Sequence, residues 1–84
     1  MAWTVSLLPQ AARQLAKLDH SVAKRIGAAL TALGENPRPP GSKKLVGVEA
    51  WRVRMGDWRV IYQVHDARLV VLVVRIGHRR EVYD

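Results

Sequence analysis

From residue 51 onward, three runs rich in β-branched and aromatic residues, Trp51–Met55, Trp58–Val64 and Leu69–Ile76, have only short connections between them, with Gly56-Asp57 and Asp66-Ala67 at the turns. Connections this tight force neighbouring strands to run antiparallel, since a parallel return needs a crossover of a dozen or more residues. The C-terminal half therefore predicts a strand meander. A fourth run, Leu45–Val48, reads as one more strand ahead of it.

A sheet must bury one face, and the chain upstream supplies the cover. Residues 3–8, Trp-Thr-Val-Ser-Leu-Leu, alternate bulky apolar with small polar side chains and predict a strand closed by Pro9. Residues 9–18 then place Ala12, Leu15 and Leu18 at helical spacing, with Arg13 and Lys17 opposite. Asp19 is suited to cap a second helix whose apolar positions are Val22, Ile26, Ala29, Leu30 and Leu33 and which Gly34 and Pro37 end. The proline-rich segment 35–43 is a spacer. The predicted fold class is α+β: an N-terminal strand, a two-helix hairpin, then an antiparallel meander with the helices on one face of the sheet. The other face is left for solvent or a ligand.

With 84 residues and no linker or repeat, the expectation is one domain, residues 1–84. The absence of cysteine excludes disulfides, thiol catalysis and any zinc site needing Cys. The longest apolar run, Leu69 to Val74, is far short of the roughly 20 residues that cross a bilayer, so no membrane partner is expected and a cytoplasmic location is. No glycine-rich phosphate loop, metal-ligand cluster or serine–histidine pair stands out, so neither a cofactor nor a metal is expected.

Charge gives the functional lead. The chain carries 14 Lys+Arg against 7 Asp+Glu, a formal net charge of +7. From residue 50 onward every basic side chain is arginine: Arg52, Arg54, Arg59, Arg68, Arg75, Arg79 and Arg80. Guanidinium is a planar fork that grips phosphate through two parallel hydrogen bonds, although a GC-rich coding sequence gives the same bias. Alternation sets Trp51, Val53 and Met55 on one face and Arg52 and Arg54 on the other. The tight turn then brings Arg59 towards Arg54, and the last strand runs on into His78, Arg79 and Arg80. A solvated, acid-spaced face is a weak explanation, because adjacent cations repel until an anion arrives.

In order and spacing, Leu15-Ala16-Lys17-Leu18-Asp19, Asn36-Pro37 with Lys44-Leu45, Trp51-Arg52-Val53-Arg54, Gly56-Asp57-Trp58-Arg59-Val60-Ile61-Tyr62 and Gly77-His78-Arg79-Arg80-Glu81-Val82-Tyr83 resemble the RelE/ParE superfamily of type II toxins, RelE branch. The resemblance implies a ribosome-dependent endoribonuclease that cuts messenger RNA and is silenced by an acidic antitoxin in a heterodimer or heterotetramer. It puts catalytic positions on Arg52, Arg54, Arg59, Arg79 and Tyr83. Metal-free cleavage needs the 2′-OH deprotonated, the phosphorane charge stabilised and the leaving 5′ oxygen protonated. Arginines serve the second need and favour a nearby phenolate, which makes Tyr83 the candidate base.

The chain departs from the family pattern at Arg52 and Arg54, where the best-studied type of RelE has lysines. Arginine holds phosphate but does not give up its proton, so proton transfer falls to Tyr83 or to His78, whose unperturbed pKa lies near ~6.5. Arg52, Arg54, His78 and Arg80 are the expected RNA contacts. Arg75 reads as structural, His20 and His65 as surface residues, and Trp3, Trp51 and Trp58 as packing. Two alternatives share the fold without the chemistry: a ParE-like inhibitor of DNA gyrase, and a basic RNA-binding module.

Overall fold

The computed structural model describes residues 2–78, and its strands pair almost as the turn spacing requires. Strands β1 (Thr4–Leu7), β2 (Lys43–Lys44), β3 (Trp51–Met55), β4 (Trp58–His65) and β5 (Val70–His78) form one sheet in the order β1-β5-β4-β3-β2. Between β1 and β2 lie helices α1 (Pro9–Ala16) and α2 (His20–Glu35). Four strands are antiparallel neighbours. β1 pairs with β5 in parallel, because the helical hairpin and the meander both intervene before the chain returns beside it. The sheet is therefore mixed, with its long apolar strand, β5, between β1 and β4 as an interior position demands.

Local chemistry explains the element ends. Pro9 opens α1, where its missing N–H would have had no partner. The Asp19 carboxylate accepts from the Val22 N–H at 3.4 Å and from Ser21 Oγ at 2.6 Å, capping α2. Ala11, Ile26, Leu30 and Leu33 of the helices meet Val60, Tyr62, Val71, Val73 and Ile76 of the sheet in the main core. Each fully buried aliphatic side chain there contributes about 1.5–3 kcal/mol. Tyr62 lies in that core with its hydroxyl donating to the Pro37 carbonyl at 2.8 Å, and this ties the proline-rich loop down.

Two details depart from the sequence expectation. The run 45–48 is a reversal, not a strand: Gly47 sits at φ 81°, a left-handed conformation that stops a ladder, and the hairpin closes through Leu45 N–H to the Ala50 carbonyl. The β pairing falls instead on Lys43 and Lys44, opposite Arg52 and Trp51, and Val46 is 98% exposed at the tip. The second departure is in β5. Tyr62 opposes Val73 while its neighbour Ile61 opposes Arg75, so Val74 is an extra residue, a β-bulge. Beyond the end of β1, the Ile76 N–H donates to Gln14 Oε1 at 2.8 Å, so α1 holds the bulged segment where no strand does.

Candidate nucleic-acid interface

Strand pleating sends Trp58, Val60, Tyr62 and Val64 of β4 towards the helices and Arg59, Ile61 and Gln63 to the opposite face. The register then composes that face row by row. One row runs Lys43, Arg52, Ile61, Arg75 across four strands; the next runs Arg54, Arg59, Gly77. Arg54 and Arg59 stand directly opposite each other, as the Gly56-Asp57 turn predicts. Ile61 between the cations packs with Ala50 and Leu45 in a small second apolar cluster. Further towards β1 the same face carries the uncharged Thr4, Ser6, Leu72 and Gln63. Among the described strand positions of this face there are five cations and no carboxylate.

Arg52 corrects one expectation. Alternation puts it beside Arg54 on the open face, in register with Lys43 and Ile61, but it is only 6% exposed. Burial, and then the neighbouring Arg54 and Arg59, lower its pKa from the usual guanidinium value. It stays charged at neutral pH. Arg54 and Arg59 thus place positive charge beside a third guanidinium that is partly stripped of water.

His78 is not brought into this group. β5 extends to it, and it opposes Trp58, on the helix side of the sheet. Its ring meets Trp58 edge-on at 5.5 Å between centroids, and Nε2 lies 3.9 Å from Asp57 Oδ2. Nearness in sequence to the arginines suggested company that the pleat denies. Arg75 is the opposite case: strict alternation assigns it to the face of Val71 and Val73, and the bulge turns it onto the arginine face. Arg79, Arg80 and Tyr83 lie outside the described residues. No group of three or more side chains suited to a metal ion occurs among the described residues.

At the far end of β4 the arginine chemistry is different. Arg38 forms a fork with Asp66 through Nη1–Oδ1 at 3.2 Å and Nη2–Oδ2 at 2.9 Å, and its guanidinium lies 5.3 Å from the Trp51 ring centroid. The hydrogen bond from Arg38 holds Asp66 below the ordinary carboxylate pKa, and Asp66 in turn raises that of Arg38. With Lys44 paired to Glu49 at 3.5 Å beside it, this end of the sheet is internally neutralised.

Comparison with known proteins places the fold in a family. The model of the ParE toxin of type II toxin–antitoxin systems matches residues 5–83. Over the whole of this chain and 93% of the relative, the sequence is 28% identical to the mRNA interferase toxin RelE of Escherichia coli K12. It is 31% identical to toxin RelG of Mycobacterium tuberculosis over 99% of this chain and 98% of that one. The intact E. coli RelBE toxin–antitoxin complex superposes with a TM-score of 0.81 at 26% identity, covering 92% of this chain and 96% of that one. The archaeal RelE–RelB complex of Pyrococcus horikoshii gives 0.84 at 26% identity, covering 98% and 100%. Fold and basic face thus define a small toxin of the type II toxin–antitoxin class. The chain belongs to the RelE/ParE toxin superfamily.

Proposed function

We propose that the protein cuts messenger RNA on the ribosome, by attack of a ribose 2′-OH on the adjacent phosphate, and so arrests translation. The observation that carries this reading is the Arg54–Arg59 cross-strand pair beside the buried Arg52, a concentration of positive charge suited to a pentacoordinate phosphate that gains extra negative charge. In this mechanism Arg59 and Arg54 hold the non-bridging oxygens, while Arg52 supplies field from the next row. Arg79 joins them and Tyr83 removes the 2′-OH proton, roles assigned by the family resemblance alone. Because His78 faces Trp58 and Asp57 on the other side of the sheet, the geometry favours Tyr83 over it as base. The face is shallow, so the ribosome supplies the RNA conformation that reaction needs.

The same charge selects the partner that silences it. An acidic, partly disordered antitoxin, folding over the cationic face, gains on-rate from complementary charge and gives a heteromeric complex in the cytoplasm. The similarity to RelBE complexes supports this.

The family model that matches is that of ParE, which favours a second reading: gyrase inhibition by binding alone. Primer extension on a message held by ribosomes separates the two. The nuclease reading expects discrete 5′ ends that appear only with ribosomes present; no cuts, together with loss of DNA supercoiling by gyrase, would establish the other.

A further inference from the structure

The β-bulge at Val74 places one arginine where the sequence period does not. We infer that Arg75 is a backbone-phosphate contact for RNA on this face, set beside the reacting phosphate rather than on it; the inference rests on the nuclease reading above. Three observations carry it. Arg75 is exposed and shares a row with Arg52 and Lys43, with Ile61 between, so the basic row crosses four strands. At about 5 Å per strand, Arg75 stands about 10 Å from Arg52 at the backbone, too far to share one phosphate's oxygens through short contacts and suited to a neighbouring phosphate. The position is also built. Without the extra residue, Arg75 would point at the helices among Val71 and Val73, and the Gln14 amide holds the bulged segment through the Ile76 N–H.

Ile61 adds specificity to the geometry. An apolar floor between two cationic posts suits a strand whose phosphates straddle a sugar or base. The ligand chemistry is thus an RNA phosphodiester, of the message or of ribosomal RNA.

The experiment titrates wild type, Arg75→Ala and Arg75→Lys against vacant ribosomes and against ribosomes programmed with a message, across salt concentrations, with single-turnover cleavage read in parallel. For Arg75→Ala the half-saturating ribosome concentration should rise on the order of 10-fold, the size of one exposed charge-assisted hydrogen bond. The slope of log affinity against log salt should flatten by about 0.7, one phosphate's worth, with the saturated cleavage rate unchanged. Arg75→Lys should restore the slope, which a folding defect would not allow. A loss confined to programmed ribosomes assigns the phosphate to the message, and an equal loss on both assigns it to ribosomal RNA. Unchanged affinity and slope, a fall in the saturated rate alone, or weakened binding only to an acidic antitoxin peptide would overturn the inference. If wild type binds but does not cut, the nuclease reading fails by itself, and the Arg75 contact is still decided by the binding arm.

Discussion

Arg38, in the loop after α2, and Arg52, on β3, live in different electrostatic surroundings within one small protein. Arg38 has both oxygens of Asp66 and the face of Trp51, and its charge is spent on holding the Pro37–Arg38 loop against the end of β4. Arg52 is buried beside Arg54 and Arg59, in a row with Lys43 and Arg75, with no acid on the described strand positions of that face. An arginine matched by a carboxylate is architecture. Arginines gathered on one face concentrate positive charge there, and the proposed function puts that charge to use.

The sharpest way to break this contrast is to remove the cross-strand pair. Arg54→Ala and Arg59→Ala should each slow single-turnover cleavage by about 10²–10³-fold, as loss of one preorganised donor does elsewhere. The double variant should fall well short of the product of the two losses, because both serve one phosphate. Melting temperatures should stay near that of wild type, which separates a loss of chemistry from a loss of folding. Strictly multiplicative losses would mean that the two arginines act at different steps.

Next in size comes Arg52→Lys. Lysine keeps the charge but not the fork, and its pKa falls more readily in a buried cationic setting, so cleavage should drop by about 10-fold and recover partly as pH is lowered towards neutrality from above. A pH profile unchanged from wild type would say that the burial of this side chain has no electrostatic consequence.

On the architectural side the effects are thermodynamic. Tyr62→Phe removes the hydroxyl that holds the Pro37 carbonyl and should cost about 1 kcal/mol in urea unfolding, with cleavage per folded molecule intact. A large loss of cleavage there would couple the two ends of the sheet.

The smallest effect is in acid. Asp66 and Asp19 have carboxyl pKa values depressed below 3.8, chiefly by hydrogen bonds from Arg38 and from Ser21 respectively. A depressed value means stability that is present above the ordinary carboxylate range and lost as pH falls through the folded-state pKa. The modest gap in melting temperature between wild type and Arg38→Ala should therefore persist at pH 7 and close in acid, and it should shrink with salt. A gap that widens in acid would contradict the assignment.

Much of this contrast is legible in the sequence because turn chemistry fixes register. Gly56-Asp57 permits only a tight reversal, and once Met55 opposes Trp58, Arg54 must oppose Arg59. The meander, the Asp19 cap and the apolar stripes of α2 follow from equally local rules. What escaped is nonlocal. Leu69–Val74 is apolar on both faces, so no polar beat exists for the bulge at Val74 to interrupt, and alternation alone assigns Arg75 to the face of Val71 and Val73. Val46 and Val48 carry strand propensity, but the positive φ at Gly47 decides the backbone there. The burial of Arg52 is something that alternation along β3 does not record. His78 was drawn into the arginine group by adjacency in the chain, whereas pairing with Trp58 fixes its face.

The most direct test sets one arginine from each region side by side. Single-turnover cleavage of ribosome-bound message and thermal unfolding should be measured for wild type, Arg59→Ala and Arg38→Ala under one set of conditions. Arg59→Ala should lose cleavage by about 10²–10³-fold with a melting temperature close to that of wild type. Arg38→Ala should melt earlier and cut at the wild-type rate at temperatures where it is folded. Equal loss of cleavage in both variants, or undiminished cleavage by Arg59→Ala, would contradict the division of labour between the matched and the gathered arginines.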